Sequence, residues 1–167
     1  VNIHATAFAT DDTKQQHIDK YVETLAVIND GDDLFVTGGD LNSVPPGSIT
    51  DFCESDMCDG EDYHTDEAEE YHKEGSYFEN FDGEPEILLP LYSAYNSAID
   101  SSEANLPNHF THGPSTSFEM NNIKYDRKLD YLFTNGSWVT DAAQTHQGAW
   151  ELSDHMPVSS KLNFGGE

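Results

Sequence analysis

The sequence predicts an α/β domain. Three observations carry that expectation: an alternating strand at the start of the chain, an amphipathic helix directly after it, and a short apolar strand that leads into a polar turn. With 167 residues there is room for one domain with a core and too little for two. Hydrophobic residues make up 36% of the chain, enough to form that core, and no apolar run has the length of a membrane span.

The elements follow in order. From Val1 to Phe8 the residues alternate, with Val1, Ile3 and Ala5 on one side and Asn2, His4 and Thr6 on the other. Thr10, Asp11 and Asp12 offer capping oxygens for a helix whose stripe is Ile18, Tyr21, Val22, Leu25 and Ile28, and Asn29 to Gly31 end it. Asp33 to Thr37 reads as a buried strand, and Gly38-Gly39-Asp40-Leu41-Asn42 as a turn at its C-terminal end, where ligands sit in α/β sheets. A second helix is expected from Glu86 to Ile99, with Ile87, Leu88, Leu91, Tyr92, Tyr95 and Ile99 on one stripe and Pro90 in its first turn. Asn105 to Asn122 reads as loop, and two strands, Lys128 to Thr134 and Met156 to Phe164, close the chain.

Charge restricts the function. The chain has 32 acidic residues against 7 Lys and Arg, a formal net charge of -25. No basic cluster exists to displace counterions from a nucleic-acid backbone, so a phosphate substrate would have to be met by metal ions. Such an acid excess fits a salty, divalent-rich exterior that screens the repulsion. Residues 51–86 hold 15 of the acids with one Lys, about -14 of the total, and read as a solvated insertion. Aligning Gly60 with the invariant glycine of a calcium loop puts Ser55 and Met57 where acids are required, so calcium at this acidic surface would be held loosely. Cys53 and Cys58 lie in the same polar stretch, where a small disulfide loop is the expectation and an extracellular or periplasmic location follows. The chain opens at Val1 without an n-region or h-region, as a mature or truncated product would.

Four polar motifs fall at predicted strand ends: Asn2-Ile3-His4, Gly39-Asp40-Leu41-Asn42, Arg127 to Phe133 with Asp130 inside it, and Ser153-Asp154-His155-Met156-Pro157-Val158. Phosphodiester cleavage needs an activated water, a cation for the phosphoryl oxygens and help for the leaving oxygen. His155 is the natural general base, and Asp130 the carboxylate that fixes its tautomer. Asp154 offers a ligand for a hard divalent ion, and Asp40 with Asn42 would position water and a phosphate oxygen. His4 would donate to a phosphoryl oxygen or the leaving group. Each motif alone fits an ordinary turn, but a carboxylate inside the apolar Asp130 strand needs a partner. His17, His64, His72, His109, His112 and His146 show no paired zinc spacing. His112 and Thr116 precede the Asp130 strand and are candidates to line the cleft.

In this order, the motifs make the chain resemble the C-terminal half of the endonuclease/exonuclease/phosphatase superfamily, which includes deoxyribonuclease I and the neutral sphingomyelinases. The resemblance spans essentially all 167 residues. The phrases His4-Ala5-Thr6-Ala7, Asp126 to Asn135 and Leu152-Ser153-Asp154-His155 look like those of secreted bacterial members. It implies part of a four-layer α/β/β/α sandwich, with residues 1–167 as the C-terminal portion of one domain. It also implies Mg2+ or Mn2+ held by Asp40 and Asp154, and catalytic roles for His4, Asp40, Asn42, Asp130 and His155. Members of the family carry an N-terminal half with a metal-binding Glu and a catalytic Asn, so the expected whole is a phosphodiesterase or nuclease completed by such a half. The alternatives are a phospholipid-headgroup hydrolase resembling the sphingomyelinases and a non-catalytic acidic binding or assembly module.

Overall fold

Two adjacent glycines set the architecture. The computed structural model describes residues 1–7, 12–30, 33–48, 86–113, 125 and 127–164. In it a four-stranded sheet runs in the order β1-β2-β4-β3, with β1 Asn2–His4, β2 Val36–Asp40, β3 Asn96–Ser97 and β4 Asp130–Thr134. β1 is parallel to β2, while β4 is antiparallel to both β2 and β3. Gly38 and Gly39 lie inside β2, where the neighbouring backbones come so close that a Cβ would sit 2.0 Å from the Tyr131 carbonyl oxygen at Gly38 and 2.0 Å from that of Ile3 at Gly39. Only glycine fits between them, and Gly39 also has a φ of +140°.

This corrects the expected strand at Asp33 to Thr37. The strand begins at Val36 and runs through the two glycines to Asp40, so the turn starts later than the sequence suggests. The pair reads as a turn in sequence but serves close strand packing. Asn135 secures the approach to the strand: its side-chain oxygen accepts from the Phe35 N–H at 2.9 Å, and its Nδ2 donates to the Asp33 carbonyl at 3.0 Å.

The crossover between the parallel strands β1 and β2 is α1, Thr13–Asn29. Its buried stripe includes Ile18, Tyr21 and Leu25, as the spacing predicts, whereas Ile28 is exposed. Asp12 is the N-cap residue, but its carboxylate accepts from Gln16 Nε2 at 2.7 Å instead of from a cap N–H. α1 packs with the short helix α2, Leu89–Ala94, over Tyr131 and Phe133 of β4. Tyr92 meets Phe133 edge-on at 5.2 Å between ring centroids.

The second helix is much shorter than the expected Glu86 to Ile99. Tyr95 is already extended (φ -135°, ψ 154°), because Asn96 and Ser97 leave the helix to pair with β4 as β3. Ile99 is nonetheless buried. A short helix at Ser101–Ala104, α3, is capped by Asp100, which accepts from the Ser102 N–H at 2.9 Å. The expected strand from Met156 to Phe164 is two: β7 Val158–Ser159 pairs with β6 Gln144–Thr145, and β8 Leu162–Asn163 with β5 Ser137–Trp138. The described architecture is thus one mixed sheet with helices on one face and two small two-stranded sheets. The acidic insertion at 51–86 apart from its last residue, the Cys53–Cys58 pairing, the calcium expectation for that surface and Thr116 lie outside the described residues. No described helix is long and apolar enough to cross a membrane.

Candidate active site

Strand register puts three polar side chains in one row. His4 is opposite Asp40 across the β1–β2 pair, and Asp40 is opposite Asp130 across the β2–β4 pair. Side chains at one level of a sheet share a face, and these three residues come from the C-terminal ends of β1 and β2 and the N-terminal end of β4. Pairing continues past the row, with Ala5 N–H donating to the Asp40 carbonyl and Leu41 N–H to that of Leu129, each at 2.9 Å.

Asp40 is the hub. Its Oδ1 accepts from the Asn42 backbone N–H at 2.8 Å and its Oδ2 from Asn42 Nδ2 at 2.9 Å. Asn42 also donates to the Ala5 carbonyl at 3.0 Å and adopts a left-handed φ of 45°, which Asn tolerates better than most residues. The same Oδ2 of Asp40 lies 3.3 Å from His4 Nε2 and 3.8 Å from His155 Nε2. Burial pushes the Asp40 carboxyl above its ordinary range and nearby Asp130 adds to this, while the Asn42 N–H and the histidines pull the other way.

His155 completes the row from a separate loop. Its Nδ1 is 2.9 Å from Asp130 Oδ2. A carboxylate can only accept, so Nδ1 carries the proton and Nε2 is left as the basic nitrogen facing Asp40. Burial lowers the His155 pKa, but the hydrogen bond and charge of Asp130, with the charges of Asp40 and Asp154, outweigh it and leave the value raised.

Thr111, which no sequence pattern marks, joins Asp130 to the His155 loop. This fully buried residue accepts on Oγ1 from the Leu129 N–H at 2.9 Å and the Asp130 N–H at 3.2 Å. Its carbonyl accepts from the Met156 N–H at 2.8 Å. His112 stacks on His155 at 4.5 Å between ring centroids, tilted 30°, and its Nδ1 is 3.0 Å from the Asp154 carbonyl. Burial, then the charges of His155 and Arg127, push the His112 pKa down to about 4.

The six residues singled out by sequence are therefore neighbours, and with His112 they supply two candidate metal-binding groups. Asp40, Asp130 and His155 each offer a donor atom within 4.8 Å of the others, as do His112, Asp154 and His155. The two carboxylates of the first group suit a hard, oxygen-preferring cation such as Mg2+. Asp154 belongs to the second group, and His155 is common to both. No model of a known protein family matches this chain, and no curated protein matches it.

Proposed function

We propose that this chain carries the acid–base machinery of a metal-dependent phosphoric-ester hydrolase acting on phosphodiesters, in the manner of the endonuclease/exonuclease/phosphatase superfamily it resembles. On that reading residues 1–167 form the C-terminal portion of one domain of the four-layer sandwich, working in an extracellular or periplasmic setting. A nuclease or general phosphodiesterase is preferred over a lipid-headgroup hydrolase. The observation that carries the reading is the Asp130–His155 hydrogen bond of 2.9 Å, with His155 Nε2 facing Asp40 Oδ2 at 3.8 Å.

A water between those two atoms can give one proton to His155 Nε2 while Asp40 accepts its other hydrogen, which directs an oxygen lone pair outward at the phosphorus. Asp130 holds the ring in the required tautomer and balances the imidazolium that forms. Asn42 fixes the Asp40 carboxylate through its two hydrogen bonds. His4, whose side chain is 78% exposed, is placed to donate to a phosphoryl oxygen or to the leaving oxygen. Asp40 and Asp154 are the carboxylates that would hold Mg2+ or Mn2+. When bound, the ion neutralises charge that builds on the phosphoryl oxygens.

The test is hydrolysis of DNA, RNA, a bis-aryl phosphodiester and sphingomyelin by the protein completed with the N-terminal half that the resemblance implies, and by residues 1–167 alone, which should be nearly inactive, each with and without a chelator. A chelator should abolish turnover and Mg2+ or Mn2+ should restore it. His155→Ala and Asp40→Ala should each lower the rate by about a hundredfold or more with the fold retained. Chelator-resistant hydrolysis, or full activity in the His155 variant, would remove this mechanism.

A further inference from the structure

His112 and Asp154 are far apart in sequence, and neither belongs to the Asp40–Asp130 row, yet the His112 ring meets that of His155 and each of the two brings a donor atom within 4.8 Å of one on His155. We propose that His112, Asp154 and His155 form a binding site for a divalent transition-metal ion of the zinc class, next to the Asp40 and Asp130 carboxylates, and that an ion there takes up the Nε2 of His155.

The donor set is the first argument. Two imidazole nitrogens and one carboxylate oxygen suit Zn2+ and its neighbours, whereas Mg2+ prefers oxygen throughout. Three protein ligands also leave a fourth position for water, the usual form of an open zinc site.

Hydrogen bonding is the second. His112 Nδ1 faces the carbonyl of Asp154 at 3.0 Å, and His155 Nδ1 faces the carboxylate of Asp130 at 2.9 Å. Both partners are acceptors, so both rings hold their proton on Nδ1 and keep the lone pair on Nε2. A metal-binding histidine is typically anchored in this way, with the second nitrogen donating to a carboxylate or carbonyl that fixes the ring.

Distance is the third. One donor atom from each residue lies within 4.8 Å of the others, against roughly 3.4 Å between ligand atoms arranged tetrahedrally at zinc bond lengths. Asp154 can close the difference, because it is exposed and its carboxylate is held by no more than a long contact from Ser153 Oγ, at 3.4 Å, among the described residues. The site is invisible as a spacing motif because the fold, rather than a short loop or helix, brings its ligands together.

Because the ion and the proposed water activation both use His155 Nε2, zinc would inhibit the hydrolysis proposed above. That consequence rests on the phosphoesterase reading; the binding does not. The experiment therefore reads binding without substrate. Zn2+ is titrated into the 167-residue chain against a chromophoric zinc indicator in millimolar Mg2+, and ring resonances of the histidines are followed by NMR. One zinc should bind, shifting the rings of His112 and His155. His112→Ala, His112→Gln and Asp154→Asn should each weaken binding by about tenfold or more, and by more than Asp40→Asn does. Co2+ in place of zinc should give the strong visible absorption of a low-coordinate nitrogen-ligated site, which reads the parent chain alone should a variant fail to fold. Unchanged affinity in folded His112 variants, a larger loss in Asp40→Asn than in the His112 variants, displacement by millimolar Mg2+, or only the faint spectrum of six-coordinate cobalt would overturn the site. Zinc binding by the chain, with no hydrolysis by the completed protein, would fail the phosphoesterase reading and leave the metal site standing.

Discussion

Asp130 controls His155 through both geometry and charge, so its replacement by Asn separates a mechanistic role from a merely structural one. In Asp130→Asn the hydrogen bond can persist in shape while the charge that raises the His155 pKa is lost. If His155 must be neutral to accept a proton, the acidic limb of the rate profile follows its pKa. The limb should therefore move to lower pH in the variant, and the plateau rate should fall by about 10²- to 10⁴-fold. An unshifted limb would show that another group titrates. Lys128 gives a second prediction. Its side chain is 1% exposed, and its Nζ makes no hydrogen bond among the described residues and lies 5.1 Å from the centre of the Tyr131 ring. Burial pushes its pKa down to about 7 although nearby Asp130 opposes this. The unfolded chain then binds the proton more readily between about 7 and the ordinary value of 10.5, so stability from this group rises as pH climbs through that window. Lys128→Met should raise Tm at neutral pH, and its advantage over the parent should shrink toward pH ~10; a lower Tm at pH 7 would contradict this.

β2 is the element on which the row of site residues depends. Adding a methyl group at Gly38 or Gly39 drives it into backbone oxygen at 2.0 Å, which no side-chain adjustment relieves. Gly38→Ala and Gly39→Ala should each cost about 3 kcal/mol or more, measured by denaturant unfolding. A loss under 1 kcal/mol would mean that the strands are not packed this closely. The helix layer should behave differently: Leu25→Ala and Leu91→Ala leave cavities under fully buried side chains and should cost about 2–5 kcal/mol while the His4–Asp40–Asp130 row stays intact. Much of this was legible in the sequence. The 3.6-residue spacing placed α1, and short polar residues ending apolar runs marked Asp40, Asp130 and His155. The glycine pair misled because turns and close strand contacts favour the same residue. Tyr95 continued a helical stripe that β-pairing of its successors cut short. Thr111 carried no signal at all, since one threonine in a polar loop has no period and no charge, and its role arises only from which backbone groups come to meet it.

Over the whole molecule, 32 acids against 7 bases oppose compaction. Raising NaCl from about 10 mM to 150 mM shortens the screening length from about 30 Å to about 8 Å, so Tm should rise with salt and the denaturant slope should change little. A Tm that falls with salt would show that attractive ion pairs outweigh the repulsion. The register of β2 against β4 has a further consequence. Asp40 and Asp130 are paired neighbours ninety positions apart in sequence, and His155 arrives later still. Closing so long a loop before the reward of strand pairing makes the sheet a late event in folding. The helix α1 can form from local contacts, but the site cannot exist in any partly folded form that lacks the β2–β4 pairing. Recovery of the His155–Asp130 contact after dilution from denaturant should therefore lag behind recovery of helical circular dichroism, so that a chain emerging from synthesis acquires its chemistry only at the last step of becoming ordered.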